Sequence, residues 1–284
     1  RTALAQSRNI PALKAFQANK NSNIKNFVTS LGLHPEVESG SIHEAHAIGG
    51  YNGESPLSMA AAYASFGNGG YYIEPYSYTK VVFRSNEEVV EKQINKTKAM
   101  GEDTAYMVYD MLISSAKYGL GNQSNINGAT FGAKTGTSNF DDATKKAKGL
   151  PDNAINDYWV TGVSPDYAIS VWYGYTKVYQ RKDPEAKDYC KNCYNTINEI
   201  YHRKLFQAVA KGFFKKGSTI SMPSSVVKVE VENETYPAML PSEYTPKDMR
   251  VTELFKKGTE PTEVSSRYAR LDNVTNLKGT TSNN

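Results

Sequence analysis

Apolar residues along this chain recur first at helical spacing, then in strand-length runs, then at helical spacing again. Pro11 suits an opening helical turn, and the good helix formers over residues 12–18 continue it. Residues 24–31 predict a second, short helix, ended by Gly32. Residues 56–66 are small and apolar and predict a helix stopped by Asn68-Gly69-Gly70. Side chains that small let a helix approach its neighbours closely, so this one is expected in the interior. Residues 76–83 and 88–93 flank Ser85-Asn86 and predict a hairpin. Residues 103–117 are amphipathic, with Val108, Met111, Leu112 and Ser115 on one face.

The pattern then changes. Residues 131–137 predict a strand, followed by a polar, lysine-containing loop over 139–157. Two further strands, 158–163 and 167–175, meet at the turn Ser164-Pro165-Asp166. Three such strands with a short turn predict an antiparallel sheet. A long helix over 195–213 follows, with Tyr201, Leu205, Ala208 and Val209 as its expected inner face. Helices, then a sheet, then a helix give an α+β class, an antiparallel sheet flanked by helices. The expected organisation is a main domain over 1–222, an extension of short strands packed on it over 223–262, and a Ser/Asn/Thr-rich disordered tail over 263–284.

Composition narrows the function classes. The chain has 284 residues, 39% hydrophobic and 22% charged, ordinary for a globular protein with a substantial core. Its net charge of +4 is dispersed, and no Lys/Arg run is interleaved with aromatics, so nucleic acid is not an expected partner. No segment approaches the apolar length of a membrane span, and no leader peptide opens the chain. Twenty tyrosines suit either carbohydrate and peptide contacts or β-rich packing.

Cys190 and Cys193 form a Cys-x-x-Cys. Such a motif serves as a redox pair, half a zinc site or a short-loop disulfide. The thioredoxin-like context is missing, and His34, His43, His46 and His202 are scattered without metal spacing. A local disulfide is the favoured reading, and no metal or organic cofactor is expected.

The candidate chemistry lies in Ala133-Lys134-Thr135-Gly136-Thr137, on the first predicted strand of the sheet. Gly136 has no side chain, so a ligand can lie flush against the strand. Lys134 supplies a cation, Thr135 and Thr137 supply hydroxyls, and the open backbone supplies N–H groups to an acyl oxygen. Far upstream stands Ser7-Arg8-Asn9. Each triplet alone is a weak signal, since Ser282-Asn283-Asn284 repeats the Ser-x-Asn pattern at the far end.

Together, in this order, they resemble two of the three motifs of the penicillin-recognising serine acyl transferases. The flanking sequence extends the likeness: residues 5–14, Gly49-Gly50, residues 55–70, Asp157-Tyr158-Trp159-Val160-Thr161-Gly162, Val171-Trp172-Tyr173-Gly174-Tyr175 and Gly258-Thr259-Glu260-Pro261 are similar to class A penicillin-binding proteins. The resemblance implies a fold like that of these transpeptidases and the serine β-lactamases. It implies attack on stem peptides ending in D-Ala-D-Ala, transfer of the acyl group to another stem peptide's amine, and trapping by β-lactam antibiotics. Ser7 would relay a proton to the leaving group, and Asn9 would position the substrate amide. Lys134 would tune the site electrostatically. Thr135 and Thr137 would hold the terminal carboxylate, and the Thr137 N–H would donate to the oxyanion.

The family's nucleophile belongs to a Ser-x-x-Lys that precedes Ser-x-Asn. The four matches here, Ser22/Lys25, Ser77/Lys80, Ser114/Lys117 and Ser225/Lys228, all follow Ser7 and are read as coincidences on solvated faces. The chain therefore reads as a fragment, inactive alone, that needs an upstream segment carrying Ser-x-x-Lys. The parent protein is expected to be anchored at the extracytoplasmic face of a bacterial membrane. A hydrolytic relative (a D,D-carboxypeptidase or β-lactamase) and a non-catalytic penicillin- or peptidoglycan-binding module stand as alternatives.

Overall fold

The computed structural model describes residues 1–174 and 200–268. Cys190, Cys193 and the helical turn expected at 195–199 lie outside the described residues. The chain divides into two units, Arg1–Ser221 and Met222–Asn284.

The first unit opens with α1 (Thr2–Ala5), α2 (Asn9–Gln17) and α3 (Asn21–Ser30), followed by α4 (Pro56–Gly67). The start of α4 is encoded locally. The Ser55 hydroxyl accepts from the Ser58 N–H at 3.1 Å, the Ser58 hydroxyl accepts from the Ser55 N–H at 3.1 Å, and Pro56 occupies the first turn. Ala62 and Ser65 are buried, as the small-residue pattern requires. Short strands β1 (Tyr71–Ile73), β2 (Lys80–Val82), β3 (Val89–Glu91) and β4 (Lys96–Lys98) come next. The expected hairpin forms from β2 and β3, with Lys80 opposite Glu91. β1 pairs with β4. Three residues per strand are too few for alternation to register, so only the structure reveals this second pair.

The centre of the unit is α5 (Glu102–Leu120), β5 (Gly132–Asn139), α6 (Asp142–Lys148), β6 (Ile155–Val163), β7 (Ala168–Gly174) and α7 (Ile200–Phe213). Glu102 and Asp103 in the first turn of α5 and Lys117 in the last complement the helix dipole. The sheet is antiparallel in the order β5-β6-β7, as the three-strand pattern predicts. β5 is an edge strand, which leaves one side of its backbone open beside the helices. Phe131, Ala133, Val160 and Val171 from the sheet region pack with Ala116 and Leu120 of α5, Phe206 and Ala210 of α7, and Phe214. α4 lies over the other face, where Gly67 approaches Val163.

Two expectations need correction. The stretch read as a loop over 139–157 is largely structured: β5 runs to Asn139, α6 is capped by the Asp141 carboxylate accepting from the Thr144 N–H at 2.8 Å, and β6 starts at Ile155. Phe140, Leu150 and Ala154 form a small core beneath it, too sparse to show as a periodic stripe.

The inner face of α7 is also rotated. Tyr201, Leu205 and Val209 are 52%, 48% and 37% exposed, whereas His202, Phe206 and Ala210 are buried. The helix carries two neighbouring apolar stripes, and the sheet chooses between them. Gly162 has no side chain, which opens the space that the Phe206 ring fills. His202 stacks on Tyr158, ring centroids 4.8 Å apart.

Burial pushes the His202 imidazole down to about 4, and Arg203 adds to the shift. The unfolded chain, with an ordinary histidine near 6.5, therefore binds its proton first as the pH falls. Stability is whole above about pH 6.5 and is lost towards pH 4, by on the order of 3 kcal/mol from this group. Urea midpoints measured across that range should fall with acid in the parent and fall distinctly less in His202→Phe. Parallel curves would rule His202 out as the source.

The second unit is built on β8 (Val226–Glu232) and β9 (Arg250–Lys256), paired from Val226↔Lys256 to Glu232↔Arg250. Glu232 is buried and accepts from the Thr245 hydroxyl at 2.6 Å and the Ser265 hydroxyl at 2.8 Å. Ser265 is buried because it satisfies that carboxylate, and the described chain continues to Tyr268. Among the described residues, no helix is long and apolar enough to cross a membrane.

Candidate active site

The edge strand β5 carries Lys134 and meets the N-terminal segment there. Arg1 ties that segment to α5: its guanidinium bonds the Asp110 carboxylate at 2.6 Å and donates to the Ser114 hydroxyl at 2.9 Å. One turn of helix later, Ser7 sits at φ 54°, the left-handed region a non-glycine residue enters at some cost. Its hydroxyl accepts from Lys134 Nζ at 2.6 Å, and Lys134 also donates to the Thr135 carbonyl at 2.9 Å. These two residues lie 127 positions apart in the chain. Burial holds the Lys134 ammonium below its ordinary pKa.

Beside this pair lies an open cleft of about 1120 Å³. One wall is β5 from Lys134 to Asn139, so Thr135, Gly136 and Thr137 all line it. Thr137 is exposed and stands opposite Tyr158 of β6; Thr135 is half-buried towards α5, near Gly119. The other wall is the turn from Ile48 to Ser55 and the start of α4. That turn is pinned from outside. Glu36 accepts from the Asn52 N–H at 2.9 Å and meets His46 at 3.3 Å, contacts that draw its carboxyl below the usual range, the Asn52 bond most strongly. Glu54 accepts from the Ser58 hydroxyl at 2.9 Å. Burial lifts the Tyr63 phenol to about 12, so it stays a neutral donor in the cleft at physiological pH.

Of the residues singled out from the sequence, Ser7, Lys134, Thr135, Gly136 and Thr137 come together. Asn9 does not join them here. It opens α2, is exposed, and lines a separate groove of about 220 Å³ with Ile10, Leu13 and Ala45. None of the four downstream Ser-x-x-Lys pairs lines the cleft. Ser114 is engaged by Arg1. Glu36, Tyr51, Glu54, Trp159 and Trp172 line the cleft but were not singled out. The two tryptophans were within reach of the sequence: once β5, β6 and β7 pair, alternation puts Trp159 and Trp172 in register with Gly136. Among the described residues, no three His, Cys, Asp or Glu side chains gather closely enough to hold a metal ion.

The family profile for the penicillin binding protein transpeptidase domain matches residues 1–199. The chain belongs to that family. A second profile, the C-terminal domain of penicillin-binding protein 1A, matches residues 222–270. Penicillin-binding protein 1A/1B of Bacillus subtilis is 36% identical over 273 residues, 95% of this chain and 29% of that protein. Penicillin-binding protein 1A of Streptococcus oralis is 36% identical over 182 residues, 61% of this chain and 28% of that protein. The chain thus spans less than a third of the length of these curated relatives. Among solved structures, penicillin-binding protein 1A from Haemophilus influenzae superposes with a TM-score of 0.64 at 19% identity, covering 93% of this chain and 40% of that one. PonA1 from Mycobacterium tuberculosis gives 0.61 at 21%, covering 78% of this chain and 58% of that one. These likenesses establish the transpeptidase fold, α+β with an antiparallel sheet, that the sequence pattern implies.

Proposed function

We propose that the protein carrying this chain is a serine-type D-alanyl-D-alanine transpeptidase that cross-links peptidoglycan stem peptides outside the cytoplasmic membrane. The observation that carries the reading is the 2.6 Å contact between Lys134 Nζ and Ser7 Oγ, at the head of a cleft that runs along an edge strand. An extended peptide can add to such an edge through its backbone.

In this reading an upstream segment supplies a nucleophilic serine next to Ser7 and Lys134. Its Oγ attacks the carbonyl of the penultimate D-alanine, giving its proton to the lysine of its own Ser-x-x-Lys, while the backbone N–H of Thr137 stabilises the oxyanion. The amide C–N bond breaks, and Ser7 passes that proton on to the nitrogen of the departing D-alanine. The ester that remains is attacked by the amine of a second stem peptide. A new amide forms, and the serine recovers its proton. Lys134, Thr135 and Thr137 hold the terminal carboxylate of the donor, and Gly136 lets the donor lie flush. Asn9 positions the donor amide, which requires α2 and the incoming segment to adjust about it. A β-lactam enters the same path, but its leaving nitrogen stays tethered and blocks the second step.

Labelling with a fluorescent penicillin tests this reading. The full-length protein should acquire one covalent adduct, on a serine upstream of Arg1, and this chain by itself should acquire none. An adduct on Ser22, Ser77, Ser114 or Ser225 would identify a different nucleophile. An adduct on Ser7 would overturn the proton-relay role, and a full-length protein that takes no label would overturn acyl transfer.

A further inference from the structure

Away from the cleft, the stretch from Tyr71 to Lys98 forms two nested strand pairs, β1 with β4 and β2 with β3. All six residues of β2 and β3 are exposed, although four of them are the valines Val81, Val82, Val89 and Val90. Phe83, the next residue, is 47% exposed. Val81 stands opposite Val90 and Val82 opposite Val89, so the hairpin is apolar on both faces. A two-stranded hairpin is marginal in water by itself, and its open edges are templates for another strand.

The hydrogen bonds of the hairpin show which backbone groups of β3 stay open. The Phe83 N–H donates to the Glu88 carbonyl at 2.9 Å, and the Lys92 N–H donates to the Thr79 carbonyl at 2.9 Å. Hydrogen-bonded positions alternate along an antiparallel strand, so Glu88, Val90 and Lys92 turn their backbone towards β2. Val89 and Glu91 turn theirs away, along an edge that no other described strand covers. Charge separates the two edges of the hairpin. β2 lies between Lys80 and Arg84 with no acid, so two copies of it would repel. β3 carries both signs, with Glu88 and Lys92 two residues to either side of Val90. Those two share a face but stand roughly 13 Å apart, at about 3.3 Å per residue, too far to pair with each other. Glu88 accepts only from a neutral donor among the printed side chains, Asn86 Nδ2 at 3.0 Å, which aims the carboxylate and leaves its charge in place.

We propose that the open edge of β3 pairs antiparallel with β3 of a second copy of this chain, about a two-fold axis through Val90. In that register Val89 and Glu91 of one copy exchange backbone hydrogen bonds with Glu91 and Val89 of the other, which are the groups left open. Glu88 of each copy faces Lys92 of the other, and symmetry makes that contact twice. The neighbouring registers lose it. An axis through Val89 sets Glu87 against Glu91, and an axis through Glu91 sets that residue against itself. The pairing closes at two copies, because the same edge serves both. It also doubles the sheet to four strands and gathers Val81, Phe83 and Val90 of both copies on one face. The inference is independent of the chemistry proposed for the cleft.

Sedimentation equilibrium of the full-length protein tests it. The parent should show a monomer–dimer equilibrium. Glu88→Lys and Lys92→Glu each set like charges opposite one another twice, and each should raise the dissociation constant by about tenfold or more. The swap Glu88→Lys/Lys92→Glu restores both pairs with their signs exchanged, and should return the constant close to that of the parent. All the altered side chains lie at the surface of the hairpin, and circular dichroism checks that each variant folds. A parent that stays monomeric would give this edge to some other partner and overturn the proposal. A dimer indifferent to both single changes would place the contact elsewhere and overturn it as well. Weakening by the single changes without rescue by the swap would overturn the pairing about Val90.

Discussion

Replacing Ser7 by alanine in the full-length protein is expected to slow acylation by penicillin about a hundredfold or more, the usual range for removing a positioned proton-transfer group. The reason is geometric. Ser7 Oγ is the group that Lys134 Nζ meets at 2.6 Å, so in the proposed relay its loss would interrupt the path by which a proton reaches a leaving nitrogen. The left-handed backbone at Ser7 offers a second cause that must be separated from the first. Ser7→Gly relieves that conformation, since glycine has no Cβ to clash, yet it also lacks the hydroxyl. Stopped-flow acylation of both variants decides between them. Both should be slow. Recovery in the glycine variant alone would assign the effect to backbone strain, and parent-like rates in both would remove Ser7 from the mechanism.

Lys134→Met should show activity and stability moving apart. Acylation should fall about ten- to hundredfold, because a charge-assisted contact to the ligand's carboxylate is worth roughly 1.5–3 kcal/mol. The fold should not suffer. Burial lowers the Lys134 pKa, which means that the charged form is penalised in the native state at neutral pH. For a base whose folded pKa is depressed, stability is whole only above the unfolded value near 10.4 and is reduced as the pH falls below it. Methionine of similar length removes that penalty, so Tm at neutral pH should stay level or rise. Parent-like acylation in a folded Lys134→Met protein would refute the assignment, and a steep fall in Tm would show that Lys134 holds the fold together.

The two substitutions can also be combined. Residues in direct contact are expected to be non-additive. If Ser7 and Lys134 act as one relay, the double variant should be little slower than the slower single variant. Independent roles would give the product of the two effects.

Much of this molecule was legible in its sequence because the relevant signals are local. The start of α4 is specified by Ser55, Pro56 and Ser58, and its end by the glycines after Asn68. The polar turn at Ser164-Pro165-Asp166 sets β6 and β7 side by side, and the pattern before it puts Lys134 on the strand next to them. The family was legible as well, from short motifs in a fixed order. Gly136 and its neighbours identify themselves by chemistry that one strand contains entirely.

What the sequence left open depended on partners far away in the chain. Both apolar stripes of α7 satisfy a helical period, and only the space above Gly162 decided that Phe206, rather than Leu205, turns inward. Ser265 is held by the buried Glu232, a partner 33 positions away that nothing near Ser265 announces. Trp159 and Trp172 became one group only through cross-strand register, which no single strand records. The contact between Ser7 and Lys134 joins residues 127 positions apart, brought together by α1, the Arg1 anchor on α5 and the edge of the sheet. Sequence by itself determined which chemical groups are present and which local elements carry them. Tertiary structure decided which of those groups meet, because burial and strand pairing act through space, and spacing along the chain cannot encode a distance between segments until they pack.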